Sequence, residues 1–163
     1  MKKLATTLGF LFLALFGLSA YLYMTCTVTV PAVGAVVTEA ESQRDLFETL
    51  YHEMEISAVP GTVFHDTMNP MTDDPSRYAF VTYTVRLKND TFVMLDGVEV
   101  QLSPMAGDVL SFEDQKIVSV TARSQGEVSV TMLTEKQNHI TRELTVTYTL
   151  WGYPFSVKTA YRQ

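Results

Sequence analysis

The chain of 163 residues is acidic, with twelve Lys and Arg against eighteen Asp and Glu and a net charge of −6. No basic cluster offsets that balance, which excludes an electrostatic nucleic-acid footprint and a polybasic lipid contact. A single cysteine, Cys26, rules out an intrachain disulfide, so stability has to come from packing.

Residues 4–24, LATTLGFLFLALFGLSAYLYM, carry no charge and follow Lys2 and Lys3 directly. As a helix rising ~1.5 Å per residue the run reaches ~30 Å, the hydrocarbon thickness of a bilayer. The pattern predicts a cytoplasmic tip and transmembrane signal-anchor helix over 1–24. With no further basic residue before Arg44, the N-terminus stays in the cytoplasm and the C-terminal part lies outside, as in a bacterial envelope protein. A cleaved secretory signal is the rival reading. Its apolar region would run ~7–15 residues and end small-x-small, whereas the one site here, before and at Ala20, has Leu18 in the third position back. Cleavage there would release a secreted module. Cys26, just past the run, leaves an intermolecular bridge or a free thiol open.

Residues 25–54 read as a juxtamembrane stalk and a short helix. Val, Thr and Ala fill 25–38, and Pro31, which would remove a ladder hydrogen bond, limits any strand there to an edge. From 39 the period changes: Leu46, Phe47, Leu50, Tyr51 and Met54 recur at the spacing of one helix face, with Glu39, Glu41 and Asp45 toward the N-terminal end. Such a short amphipathic helix needs a surface, either the adjoining domain or a partner bound along Phe47 and Leu50.

Pro60-Gly61 marks a turn, Thr62 starts a brief pairing segment, and 65–77, HDTMNPMTDDPSR, is a loop longer than ordinary connections. His65, Asp66, Asn69, Asp73 and Asp74 make it the best place for a cation, Ca²⁺ before others because it takes hard oxygen donors. The spacing matches no EF-hand-like loop, and a solvated acidic loop is the plainer account. An envelope hydrolase or metal-dependent enzyme would have to be built on this loop.

Beyond Tyr78 the period is two. Val81, Tyr83, Val85 and Leu87 alternate with polar residues, as do Val98, Val100 and Leu102, then Val118 and Val120, Val128, Val130 and Met132, Leu144, Val146, Tyr148 and Leu150, and Phe155 and Val157. Turn signals separate them at Asn89-Asp90, Asp96-Gly97, Ser103-Pro104, Gln125-Gly126, Gln137-Asn138 and Gly152-Tyr153-Pro154. With 55–59 and 109–112 as further short pieces, the spacing predicts an all-β antiparallel sandwich of seven or eight strands over 55–163. In strand number and spacing this part resembles the immunoglobulin-like and fibronectin-III-like superfamily. The resemblance implies a fold and no activity, and neither a cysteine pair nor a mid-sandwich Trp accompanies it.

Catalytic signatures are missing. His52 opens His-Glu-Met-Glu, but Ile56 stands where a zinc-protease helix needs its second His. His139 falls in a hairpin loop, and no cofactor motif is present. Trp151 breaks the inward parity of Leu150, so the indole leaves the core at a hairpin tip; Trp151, Tyr153 and Phe155 join Phe47 and Leu50 as partner-binding candidates. The sequence thus predicts a single-pass membrane protein that displays a non-catalytic binding or accessory module, for contact with a protein or a cell-wall component, with no cofactor and no nucleic acid.

Overall fold

The structure, a computed structural model, describes residues 2–25, 27–56, 59, 61–64, 71, 74–113, 118–137 and 141–162. In chain order the elements are α1 (Lys2–Thr25), β1 (Val28–Glu39), α2 (Arg44–Glu55), β2 (Thr62–Val63), β3 (Tyr78–Asn89), β4 (Leu95–Leu102), β5 (Asp108–Glu113), β6 (Val118–Val120), β7 (Ser124–Glu135), β8 (Thr141–Leu150) and β9 (Tyr153–Arg162). A 3-10 turn, Ala40–Gln43, leads into α2, and another, Pro75–Arg77, leads into β3.

Two antiparallel sheets face each other. The larger has the order β1-β3-β7-β5-β2 and the smaller β6-β4-β8-β9. Alternation decides the inner face: Val81, Tyr83, Val85 and Leu87 of β3 and Val128, Val130 and Met132 of β7 meet Val98, Val100 and Leu102 of β4 and Leu144, Val146, Tyr148 and Leu150 of β8. Fully burying side chains of this size stabilises the fold by roughly 1.5–3 kcal/mol each.

A second apolar cluster lies on the opposite, outer face of the larger sheet. Tyr78 and Phe80 of β3, Leu133 of β7 and Leu110 of β5 point away from the sandwich interior and are covered by Phe47 and Leu50 of α2 and by Met71. The rings of Phe47 and Tyr78 sit 5.7 Å apart. Further along the same face the strands turn polar: Thr82 bonds Thr131 at 2.7 Å, Thr84 bonds Ser129 at 3.0 Å, and Arg86 meets Glu127 at 2.6 Å.

The alternation found the strands, and four local expectations change. Residues 28–39 are no stalk but a full edge strand of the larger sheet, paired to β3 from Val28↔Asn89 to Glu39↔Ala79. Pro31 is accommodated at a register shift between Thr29 and Ala32, where no ladder bond is demanded of it. Gln125-Gly126 is no turn but lies inside β7, because a Cβ at 126 would stand 2.6 Å from a methyl of Val120; the turn comes earlier, with Arg123 at φ 53. Asp96-Gly97 is a bulge within β4, with Gly97 at φ 58 and the register shifting on both sides. The short strand expected at 55–59 is absent among the described residues, since α2 runs to Glu55 and is capped by Ile56.

The register defines two ends. At the near end, where the chain enters β1, Val28 pairs with Asn89, Asn89 with Ser124, Leu95 with Val120 and Leu150 with Tyr153. At the far end lie Glu39, Tyr78, Asp108, Glu135, Thr141 and Arg162. β1 and β9 come together along one open side of the sandwich. Among the described residues α1 contributes nothing to either apolar cluster, and its Leu8, Phe10, Phe12, Leu13 and Phe16 are exposed. Its described side chains are those of residues 7–21, and among the described residues no helix is long and apolar enough to cross a membrane.

Candidate functional site

On the side of the sandwich opposite β1 and β9, the β2 and β5 edge of the larger sheet stands away from β4 of the smaller one. The opening is a cleft of about 650 Å³ lined by Thr62, Phe64, Val100, Leu102, Phe112 and Val130, with Gly61, Gln101 and Ser111 at its margin. Gly61 has a reason to be glycine: at φ 131, a Cβ there would run into the Ser111 carbonyl oxygen, so 61–64 lies close along β5. Thr62 and Val63 pair with Ser111 and Leu110, and the Phe64 amide donates to the Val109 carbonyl at 3.1 Å. On the other wall, β6 reaches only Val98 of β4, so among the described residues the edge of β4 from Val100 to Leu102 carries no strand partner on that side.

None of these lining residues titrates, and among the described residues no three His, Cys, Asp or Glu side chains converge on a metal position. The cleft offers apolar surface, hydroxyls and a backbone edge. That suits holding an extended chain by strand addition, with alternate side chains in the apolar pocket.

The strongest electrostatic feature is structural and lies at the far end. Arg142 of β8 and Asp108 at the head of β5 form an ion pair that is wholly inside, with Nη1 to Oδ2 at 2.6 Å and Nη2 to Oδ1 at 2.9 Å. The carboxylate also accepts from the Met105 amide at 2.6 Å and the Thr134 hydroxyl at 2.8 Å, and Arg142 donates to the Ser103 carbonyl at 3.1 Å. Burial works against the guanidinium's charge, but the bonds to Asp108 hold its pKa above the ordinary value. Both partners are fully covered, so the pair ties the sheets together and is not presented to a ligand. The Tyr83 hydroxyl points toward it without making a hydrogen bond of ordinary geometry; burial raises the Tyr83 pKa, and the neighbouring guanidinium opposes the rise.

Asn89 closes the near end in the same manner. Its Nδ2 donates to the carbonyls of Val93, Val120 and Thr121 at 2.8, 3.1 and 3.0 Å, and its Oδ1 accepts from the Thr91 amide. Asn89-Asp90-Thr91 also has the Asn-x-Thr pattern of a glycosylation acceptor, but the side chain is buried and fully engaged, so the triplet cannot carry a glycan in the folded state.

Of the residues singled out in the sequence, His65, Asp66, Asn69, Asp73, Cys26 and His139 lie outside the described residues. Asp74 is described and caps the Pro75–Arg77 turn, its Oδ1 accepting from the Ser76 amide at 3.0 Å; that bond lowers its pKa and commits the carboxylate to the chain. Phe47 and Leu50 are corrected as a partner-binding stripe: both are inside, against Tyr78, Phe80 and Leu133, so a partner would find them covered. His52 is exposed and stands 3.7 Å from Glu55 on the surface of α2.

Trp151 and Gly152 form the two-residue connection between β8 and β9, with φ of 54 and 79. Positive φ at both central positions is the mark of a type I′ turn, whose twist matches that of the strands. Trp151 is 47% exposed and Tyr153 70%, while Phe155 lies at the rim, stacked on Tyr148 with ring centres 6.0 Å apart. The cleft and the Arg142 pair escaped the sequence reading. Arg142 shares the inward parity of Leu144 and Val146, and that was the available signal; nothing in the sequence says which strand edges leave a gap.

No family model matches the chain, and neither does any curated protein. Among solved structures it is similar to a FixG-related protein from Vibrio parahaemolyticus, at 10% identity and a TM-score of 0.35 over 82% of this chain and 98% of that one. It is also similar to a protein from Archaeoglobus fulgidus, at 8% identity and a TM-score of 0.34 over 83% and 98%. These likenesses go no further than a β-rich arrangement, so the function has to be argued from this chain's own residues.

Proposed function

We propose that this chain is a single-pass membrane protein holding an immunoglobulin-like β-sandwich outside the membrane, where it serves as a non-catalytic binding or accessory module for an extended segment of another envelope protein. The observation that carries the reading is α1: an apolar helix behind two lysines whose exposed Leu and Phe side chains find no place in either core. Its fifteen residues with described side chains are extended by the uncharged 4–6 and 22–24 to a run of twenty-one, against the ~20 a span requires. Such a surface is costly in water and at home in lipid. The order β1-β3-β7-β5 facing β6-β4-β8-β9 supports the immunoglobulin-like arrangement. The β4 edge, without a strand partner from Val100 to Leu102 among the described residues, and the cleft beside it support recognition of an extended peptide, and the non-titrating lining speaks for binding over chemistry.

Alkaline carbonate extraction of the expressed full chain, followed by external proteolysis of intact spheroplasts, tests this reading. The chain is expected to stay with the membrane pellet and its C-terminal part to be digested from outside. Recovery in the carbonate supernatant, or protection of the whole domain from external protease, would overturn it.

A further inference from the structure

The exposed aromatic side chains of the β domain are not spread over its surface. Among the described residues beyond α1 they are Phe92, Trp151, Tyr153 and Phe155, and all four belong to the near end or to the first three residues of the strand that leaves it. Met94, also exposed, is in the same β3 to β4 connection as Phe92. The segments carrying them are bound into one end face: the Asp90 amide donates to the Thr27 carbonyl at 3.0 Å, the Arg123 amide to the Thr91 carbonyl at 3.2 Å, and the Arg123 guanidinium sits 4.2 Å from the centre of the Phe92 ring. The far end exposes no aromatic side chain among the described residues.

The near end is also where the chain arrives from α1. Thr25 closes the helix and Val28 opens β1, so even a fully extended link separates them by only ~10 Å. β1 and β9 adjoin and both begin at the near end, so the Trp151 tip shares that end with the entry point. Trp151 is moreover held at φ 54, a conformation costly for a bulky residue and one that Asn or Gly would take with less strain.

We infer that the near end of the sandwich rests on the lipid surface, with the Trp151 indole and the Tyr153 ring seated in the headgroup region. This rests on the membrane-anchor reading above. The chemistry is interfacial and not electrostatic: an aromatic body beside hydrocarbon with its polar edge in water is the preference of Trp and Tyr at bilayer boundaries. Lys88 is paired with Asp90 at 3.0 Å and the Arg123 guanidinium lies over the Phe92 ring, so among the described residues this end carries no basic cluster and the contact does not require anionic lipid.

Trp151 is the only tryptophan in the chain and so reports on its own position. The full chain is reconstituted into phosphatidylcholine vesicles, tested for co-flotation, and its emission compared with acyl chains brominated at a shallow or a deep position. The expected result is a loss of emission greater with shallow than with deep bromine, unchanged by high salt. A chain that floats but keeps its emission and stays open to acrylamide overturns the inference while leaving the anchor standing. A chain that floats, keeps its emission and is shielded from acrylamide has its indole against a second copy or another protein, and that too overturns it. Failure to float removes the anchor and this inference together.

Discussion

Three buried polar residues hold the ends of the sandwich, Asn89 near the chain's entry and Arg142 with Asp108 at the other end. A buried ion pair contributes little net stability, because desolvation offsets most of its attraction; its importance lies in the cost of losing one partner. Asp108→Asn would leave the guanidinium inside without its counter-charge and should destabilise the fold by about 3–5 kcal/mol. The joint change Asp108→Leu with Arg142→Met removes both charges and should recover most of that loss. Urea unfolding of the parent, the single variant and the double variant compares the two losses; a single-variant loss under ~1 kcal/mol would mean the pair acts like an exposed one and would refute the argument. Arg142 was readable in part. Its parity with Leu144 places it inward, and an inward arginine must find an anion. That the anion is Asp108 could not be read, because alternation assigns faces and does not say which strands oppose each other across the core.

At the scale of elements, the period of two found β3, β4, β7, β8 and β9, since each has one inner row of Val, Leu, Tyr or Met. It failed where a backbone rule has two readings. Glycine at 126 signals a turn or a close approach, and the neighbouring Val120 methyl decides for the second. Proline at 31 signals a strand's end or an edge bulge, and pairing on both sides of it decides for the bulge. The β8 to β9 connection was legible as a tip because Trp151 breaks parity, but its positive φ was not, since an indole is an unusual choice there. Trp151→Asn would place the favoured Asn-Gly pair in a type I′ turn and should stabilise the domain by about 1 kcal/mol, a rise of several degrees in Tm. Calorimetry on the two chains checks it, and an unchanged or lower Tm would show that indole packing outweighs the strain. A gain would mean that Trp151 is kept at the cost of stability, which is what a residue with a task at the membrane surface should show.

Taken whole, the domain is one sandwich whose core is filled from both sheets, so a charge forced into either wall is felt by the entire fold. Tyr83 from the larger sheet and Tyr148 from the smaller both point into that core, and burial raises the pKa of each. In the unfolded chain a tyrosine ionises near ~10. Below that pH both states keep the proton and stability is insensitive to these groups. Above it the unfolded state releases protons that the folded state still holds, so unfolding is favoured and stability falls as pH rises through the folded values. Thermal unfolding should therefore be level from neutral pH to about 10 and decline beyond it. Tyr83→Phe with Tyr148→Phe should flatten that decline at little cost at neutral pH, because the Tyr83 hydroxyl makes no hydrogen bond of ordinary geometry. If the parent and the double variant lose stability in parallel between pH 9 and 11, around the ordinary tyrosine pKa of ~10, then these two rings do not set the alkaline limit. The loss would then come from groups outside the shared core.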